Sequence, residues 1–435
     1  MTETFEQFNI DPQLLNVINQ LKFTHPTPIQ QRVIPAVMKH QSVIGQSHTG
    51  SGKTHAFLLP LFHMLEESKT GVQYVITAPT RELATQIHDQ VKLIIQLAQK
   101  ESEWTSRLLV GGTDKQKMID KLKNIPQIIV GTPGRILDLV EENVLSIYSA
   151  QAFVIDEADL MAELGLMNEV DKLLTRADPN IQLLVFSATI PNQLEHFFKK
   201  YLKHPVHVKL DDYIAPTKME HRLIAKRHRK EADVIFDISK AIHPYLAIIF
   251  TNGKDEADQL AAQLVEYGLN VGVIHGGLAP RARKRRLKEI QQLQYQYVVA
   301  TDLAARGIDI KGVSHIINAQ LPKEDSFYLH RVGRTARAGL EGTAVSLYSE
   351  EDIKLIEKLE QKGLTFEFSD VIDGQWIEAK PWNLRSKRKP SERNVDREAW
   401  KRVKKTKKVK PGYKKKMKQQ QERIKKNLVK KNKFK

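Results

Sequence analysis

Short runs rich in valine and isoleucine alternate with longer helical stretches along most of the chain, and no other feature restricts its fold as much. Val72–Ala78, Ile128–Val130, Phe153–Ile155 and Leu183–Phe186 read as strands buried on both faces, and Arg81–Ala98 and Gly134–Glu142 between them as helices. Strands that alternate with helices build βαβ units, and βαβ units build a parallel, doubly wound sheet. A second series follows: Leu246–Phe250, Val271–Ile274, Val298–Ala300, His315–Ile317 and Thr343–Leu347. Leu210–Glu220 mixes turn residues with charge and shows no period, which marks it as a linker. The expected fold class is therefore α/β. It has two tandem doubly wound domains, residues 1–209 and 221–380, joined by 210–220, in keeping with a length of 435 residues.

Charge adds a third region. The chain is +17 overall, but residues 381–435 hold 24 basic and four acidic side chains, so the first 380 residues are slightly acidic at −3. Beyond Lys380 too few apolar residues remain to offset the entropy of ordering, and disorder is expected, with a helix over about 414–430 forming on a partner. The chain has no cysteine, which excludes disulfides, thiolate metal sites and cysteine nucleophiles. The apolar runs fall far short of the ~18 residues that cross a bilayer. The opening MTETFEQFNI lacks a charged-then-apolar signal pattern, so a cytoplasmic protein away from membranes is expected. The fifteen histidines show no metal-ligand spacing.

Val43-Ile44 runs into GQSHTGSGKT (Gly45–Thr54) and then an apolar helical stretch. Strand, glycine-rich loop and helix form the context of a phosphate-binding loop. Gly50 and Gly52 let backbone N–H groups face phosphates, Lys53 supplies a point charge, and the Thr54 hydroxyl suits Mg²⁺. Ser47 stands where the usual pattern has its first glycine, and a flexible Gly-Ser loop is the plainer alternative. A strand AFVI ends in Asp156-Glu157-Ala158-Asp159. At the carboxyl end of a parallel strand, Asp156 is placed for a metal and Glu157 for a water, whereas acids in an ordinary first helical turn are the competing reading. The same four letters recur at Asp255–Asp258, four residues beyond a strand and with no glycine-rich loop to accompany them, so there they read as helix-start acids.

These blocks, in this order, resemble the DEAD-box ATP-dependent RNA helicases, and within them the bacterial cold-shock-type members. The resemblance covers about residues 3–350: KFTHPTPIQ (Lys22–Gln30), SHTGSGKT (Ser47–Thr54), PTREL (Pro79–Leu83), Gly111-Gly112, TPGR (Thr132–Arg135), DEAD (Asp156–Asp159), SAT (Ser187–Thr189), IIFTN (Ile248–Asn252), ATDLAARGIDI (Ala300–Ile310) and HRVGRTARAG (His330–Gly339). It implies two RecA-like domains, ATP and Mg²⁺ as cofactors, and RNA as partner. The implied nucleotide contacts are Phe5, Phe23, Gln30, Ser47, His48, Thr49, Gly50, Ser51, Gly52, Lys53, Thr54 and Asp309, with the adenine-reading block at 3–31. Gln30 can give and accept one hydrogen bond on an adenine edge; an exposed helix-start residue is the rival reading. The implied catalytic set is Lys53, Asp156, Glu157, Arg334 and Arg337, with Thr54 and Asp156 on the metal. The two arginines, three apart, would share a helix face and reach the γ-phosphate from the second domain. Ser187, Thr189 and His330 would couple ATP state to RNA grip.

RNA contacts are expected at Arg81, Gly112, Thr132 and Arg135 in the first domain and at Thr251, Gly276, Arg283 and Thr301 in the second. Hydroxyls, backbone amides and a few arginines grip a sugar–phosphate chain without reading sequence. Arg81 or Arg135, taken singly, reads equally as a surface ion pair. Three positions depart from the family: Pro280 stands where a glutamine is usual, Gly277 where an aspartate is, and Ala336 where a glycine is; the first two bear on RNA grip. In the tail, Trp382, Trp400, Tyr413 and Phe434 interrupt the basic run, which favours RNA binding over a merely solvated or nuclear-targeting segment. The expected activity is RNA-stimulated ATP hydrolysis that remodels short duplexes, in a monomer serving ribosomal particles, RNA decay or cold adaptation. An RNA chaperone driven by the tail and a DNA translocase are the alternatives.

Overall fold

The computed structural model describes residues 4–47, 50–112, 114–210, 219–302, 310, 312–335, 342–380, 403 and 417–424; for residues 192, 193 and 280 it describes the backbone. The chain forms two compact units, one of residues 1–367 with 371–376 and the other of residues 368–370 with 377–435.

The first unit holds two parallel sheets. In the first sheet the strands β1 (Val43–Gln46), β2 (Tyr74–Thr77), β3 (Ser106–Leu109), β4 (Ile128–Gly131), β5 (Ala152–Ile155), β6 (Gln182–Ser187) and β7 (Val206–Lys209) lie in the order β3-β4-β2-β5-β6-β1-β7, and every neighbouring pair is parallel. Because successive side chains of a strand point to opposite faces, one apolar run serves two cores. Tyr74, Ile76, Ile128, Val130 and Val154 pack with α1 (Pro12–Gln20), α2 (Pro28–Met38), α3 (Lys53–His63) and α4 (Arg81–Leu97). Val75, Ile129, Phe153 and Ile155 pack on the other face, in a core shared with α5 (Lys115–Lys121), α6 (Pro133–Glu141), α7 (Ala158–Glu163), α8 (Met167–Leu174) and α9 (Asn192–Tyr201).

The second sheet repeats the plan. The strands β8 (Met219–Ala225), β9 (Ala247–Thr251), β10 (Val271–Ile274), β11 (Tyr297–Thr301), β12 (His315–Asn318) and β13 (Gly342–Tyr348) run parallel in the order β10-β11-β9-β12-β13-β8. The helices α10 (Glu231–Ala241) and α11 (Lys254–Glu266) cover one face through Ile235, Ile238, Leu260 and Leu264, and α12 (Pro280–Gln291) follows β10. A hairpin follows: β14 (Glu367–Ile372) and β15 (Gln375–Glu378) are joined by Asp373-Gly374 with φ 51° and 76°. Two left-handed residues give the turn whose twist matches paired strands.

All nine strands expected from the apolar runs are present within two residues at either end. The strands β3, β7 and β8 were not expected, because SRLL, VHVK and MEHRLIA carry charge or polar residues on their half-exposed faces. Of the linker expected at 210–220, residues 211–218 lie outside the described residues, and Met219 and Glu220 already belong to β8. In the second unit, residues 417–424 are helical, inside the stretch expected to become helical, and Gln421 is buried. Among the described residues no helix is long and apolar enough to cross a membrane.

Candidate active site

Parallel strands deliver every following loop to one edge of their sheet. At that edge of the first sheet the register sets Gln46 beside Ser187 and Ile155 beside both Thr77 and Val185. The glycine-rich loop, PTREL, the Gly111-Gly112 pair, TPGR, DEAD and SAT are thereby gathered from blocks up to 140 residues apart in sequence. The opposite edge, where strands begin, is knit by glutamines such as Gln73 and Gln127, both bonded to the Glu66 carbonyl. On the loop that enters β5 at that edge Tyr148 is 62% exposed, and on the loop that enters β9 of the second sheet Tyr245 is 84% exposed.

Gly52 caps α3 with φ 94°, and a Cβ there would stand 2.8 Å from Gln30 Nε2, so both backbone conformation and space require glycine. Gln30 stands in the first turn of α2, as the rival reading had it, but it is buried rather than exposed. Its Oε1 accepts from the Thr27 N–H at 2.9 Å and its Nε2 donates to the Gly52 carbonyl at 3.2 Å. One proton of that amide nitrogen stays uncommitted by these bonds. Ser47 and Ser51 share a hydroxyl hydrogen bond of 2.8 Å, closing the loop from its two sides. Thr54 is half-buried in the first turn of α3. Phe5 packs within the core, edge-on to Phe8, whereas Phe23 is half-buried against His55, two residues past Lys53. His48 and Thr49 lie outside the described residues.

Lys53 is 6% exposed. Its ammonium donates to the Ser47 carbonyl at 3.0 Å and to Glu157 Oε1 at 3.4 Å. Burial opposes its charge, but Glu157, Asp156 and Asp159 together outweigh burial and hold its pKa above the ordinary value. Three buried carboxylates facing one ammonium leave negative charge uncompensated. It shows at Asp156, whose pKa is pushed up to about 7 by burial and then by the Glu157 charge, with Lys53 acting the other way. Glu157 caps α7 at φ 51°, ψ 52°, a left-handed conformation unusual for a side chain with a Cβ and one found preferentially at functional positions. Asp159 resists burial instead: His330, Lys53 and hydrogen bonds from Thr189 keep its pKa below the usual carboxylate range. Thr189 donates to Asp159 Oδ2 from its N–H (2.9 Å) and its hydroxyl (3.0 Å), while Ser187 Oγ accepts from the Asp159 N–H at 3.1 Å.

From the second sheet, Arg334 is buried but does not sit on a helix face. The helix Asp325–Val332 stops at Gly333, and the Thr335 hydroxyl donates to the Val313 carbonyl at 2.8 Å, drawing the chain off the helical path. The shared-face expectation thus fails for Arg334, and Arg337 and Asp309 lie outside the described residues.

Among the expected RNA residues, Arg81, Gly112 and Gly276 are exposed and Thr132 and Arg135 half-buried. Thr132 caps α6 without using its hydroxyl for the cap. Arg135 reaches Asp138 only at 3.9 Å, and its Nη1 is buried without a hydrogen-bond partner. Thr251 is 0% exposed with its hydroxyl given to the Gly253 carbonyl at 3.2 Å, and Thr301 is also buried, so neither stands on an open surface. Arg283 lies 3.0 Å from Glu82 of PTREL, close enough for an ion pair though not aligned for a hydrogen bond. The second copy of D-E-A-D opens α11 with Asp255 and Glu256 in its first turn. Its Asp258 holds His275 Nε2 at 3.0 Å while His275 Nδ1 accepts from the Gly277 N–H at 3.1 Å, which fixes the tautomer and the loop carrying Gly276.

One residue escaped the sequence reading. Arg331 is 2% exposed, and all five of its N–H donors are used. Nε and Nη2 grip Asp302 at 2.6 and 2.7 Å, Nη1 reaches Asn318 and the Gln320 carbonyl, and Nη2 also reaches Asn252, with the Phe250 ring 5.0 Å away. It follows His330 in HRVGRTARAG, where an arginine in a polar block reads as a surface or finger residue.

A family pattern described as DEAD/DEAH box helicase matches residues 27–197, and one described as helicase conserved C-terminal domain matches residues 230–339. The chain is 49% identical over 428 residues to the DEAD-box ATP-dependent RNA helicase CshB of Bacillus subtilis, covering 98% of each, and 46% identical to CshB of Listeria monocytogenes, covering 95% of each. Among solved structures, Saccharomyces cerevisiae Dbp5 bound to RNA and ADP BeF3 superposes with a TM-score of 0.75 at 27% identity, over 84% of this chain and 95% of that one.

Proposed function

Because this chain belongs to the DEAD-box ATP-dependent RNA helicases, we propose that the edge loops of the first sheet form its ATPase centre and that named residues divide the work as follows. Lys53 and the N–H groups of residues 47–54 hold the terminal phosphates, Gln30 reads the adenine, and Phe5 and Phe23 flank the base. Glu157 orients the attacking water, and Arg334 and Arg337 bring charge to the γ-phosphate from the second domain, with Asp309 on the ribose. Ser187, Thr189 and His330 transmit the state of this centre to RNA. The domains are residues 1–209 and 221–380, with the linker at 210–220 and a basic RNA-binding tail at 381–435.

The single observation that carries this reading is the buried Lys53–Glu157 contact of 3.4 Å with Asp156 and Asp159 beside it. The donor set fits Mg²⁺: the Thr54 hydroxyl and the Asp156 carboxylate are hard oxygen ligands in a pocket with surplus negative charge. A metal that also binds phosphate needs only one or two protein ligands. Bound there, the ion would neutralise charge on the phosphates. RNA is gripped on its backbone by Arg81, Gly112, Thr132, Arg135, Gly276 and Arg283. Buried Thr251 and Thr301 shape the loops beside them. The cellular reading is a cytoplasmic monomer with ribosomal particles or RNA-decay enzymes as further partners.

Lys53→Ala and Glu157→Gln are the test. Phosphate release in the presence of RNA falls at least a hundredfold in each, and Glu157→Gln retains ATP and RNA together. RNA-stimulated release at the wild-type rate from Glu157→Gln would overturn the assignment of Glu157.

A further inference from the structure

The helix α12 carries six basic residues and one acid in twelve positions, within a body whose first 380 residues total −3. Arg281, Lys284, Arg285 and Lys288 fall at i, i+3, i+4 and i+7, which places them on one helical face about 10 Å long. All four are exposed, Arg285 with 75% of its side chain. The other side of the helix is occupied. Ile290 is buried, Arg283 faces Glu82, and Arg286 is engaged by Glu289 and Tyr295. Of the four outer cations only Arg285 has an acid within ion-pair distance among the described residues, Glu289 at 3.6 Å. Like charges three and four apart weaken a helix by a few tenths of a kcal/mol per pair, and on this face the Arg285–Glu289 contact offsets only part of that repulsion.

We infer that the outer face of α12 binds the sugar–phosphate backbone of an RNA segment flanking the one held by the edge loops. Charge complementarity commits the face to a polyanion. No large apolar side chain of α12 is exposed, and a protein interface draws on an apolar or aromatic centre that this face lacks, whereas a phosphate chain asks only for spaced cations. The helix also begins four residues after Gly276, so RNA lying along that loop continues within reach. The inference rests on RNA being the substrate of the edge loops. It assigns the outer cations to anchoring, apart from ATP hydrolysis.

The test compares full-length wild type with Arg281→Gln/Lys284→Gln/Arg285→Gln/Lys288→Gln on two RNAs, a strand just long enough for full ATPase stimulation and the same strand extended. Glutamine keeps helix propensity and removes repulsion, so the variant folds with an unchanged or raised melting temperature. The expected result is equal ATPase stimulation by the short strand. On the extended strand the log–log salt slope of the variant flattens by about 2.8 for four lost phosphate contacts, and Arg281→Lys/Arg285→Lys restores binding. An iron chelate tethered through Gln292→Cys, in a chain otherwise free of cysteine, cuts the extension in wild type and spares it in the glutamine variant. Equal slopes on the extended strand, or equal losses on both strands, overturn the proposal and leave an acidic protein as the face's partner. If neither protein's ATPase responds to the short strand, the RNA-substrate reading fails and this inference falls with it.

Discussion

Asp159 accepts two hydrogen bonds from Thr189 on a single carboxylate oxygen, 2.9 Å from the backbone N–H and 3.0 Å from the hydroxyl. The end of DEAD and the end of SAT are thereby one rigid strut between β5 and β6, and the charge of His330 acts on the same carboxylate. On the proposed coupling role of Thr189 and His330, a change at Thr189 should be felt in RNA remodelling more than in nucleotide binding.

Thr189→Val removes the hydroxyl bond and keeps the backbone one. A hydrogen bond to a charged group is worth about 1.5–3 kcal/mol. The expected outcome is ATP affinity within twofold of wild type and duplex separation reduced about tenfold or more, measured as strand displacement beside RNA-stimulated phosphate release. Equal losses in both assays would place Thr189 in the chemistry itself.

Burial and then the Glu157 charge push the Asp156 pKa up to about 7. Its folded pKa is raised above the unfolded value of 3.8, so between about pH 4 and 7 the folded protein holds a proton that the unfolded chain has lost. This stabilising contribution is present at low pH and disappears as pH rises through 7. If Asp156 holds Mg²⁺ with ATP as proposed, the carboxylate is favoured, so binding at pH 7 should release roughly half a proton and weaken as pH falls below 7. Binding enthalpies in buffers of different ionisation heat should differ for wild type and coincide for Asp156→Asn.

Gly52→Ala places a methyl 2.8 Å from Gln30 Nε2 and 2.9 Å from Thr27 Oγ1 at a φ of 94°. The phosphate loop and the adenine-reading block are distorted together, so ATP binding weakens at least tenfold. Gly50→Ala, where φ is 85° but nothing lies within 4 Å, loses less. Nucleotide titration by fluorescence compares the two; equal losses would mean that backbone strain alone matters.

Arg331→Met leaves Asp302 without its partner and the ends of β9, β11 and β12 without their tie. Breaking one side of a buried ion pair costs about 3–5 kcal/mol. Urea unfolding should show that loss, and adding Asp302→Asn should recover part of it. Full recovery would reduce the network to the single ion pair.

Much of this was readable beforehand, for reasons visible in particular residues. The two sheets follow from valine and isoleucine runs because parallel strands are buried on both faces, and the same rule hid β8, whose MEHRLIA carries His221 and Arg222 among apolar neighbours. The strand, glycine-rich loop and helix singled out Lys53, and a strand ending in carboxylates singled out Glu157, each beside a plainer alternative; the 3.4 Å contact between them was not readable from either pattern. Burial was not readable. Thr251 and Arg334 belong to recognisable blocks, yet only packing turns the first inward and takes the second off its helix. Arg331 has no local pattern at all, because its five acceptors come from three separate segments, at Asn252, Asp302 and Asn318–Gln320.

The one-sided delivery of loops also makes the molecule convenient to watch. Tyr148 and Tyr245 stand exposed on the loops that enter β5 and β9, one on each sheet, and neither is a proposed site residue. In a chain without cysteine, Tyr148→Cys and Tyr245→Cys provide two chemically unique handles for a donor and an acceptor dye. Energy transfer between them would follow the two domains through single turnovers, with both labels attached at residues that have no part in the proposed site.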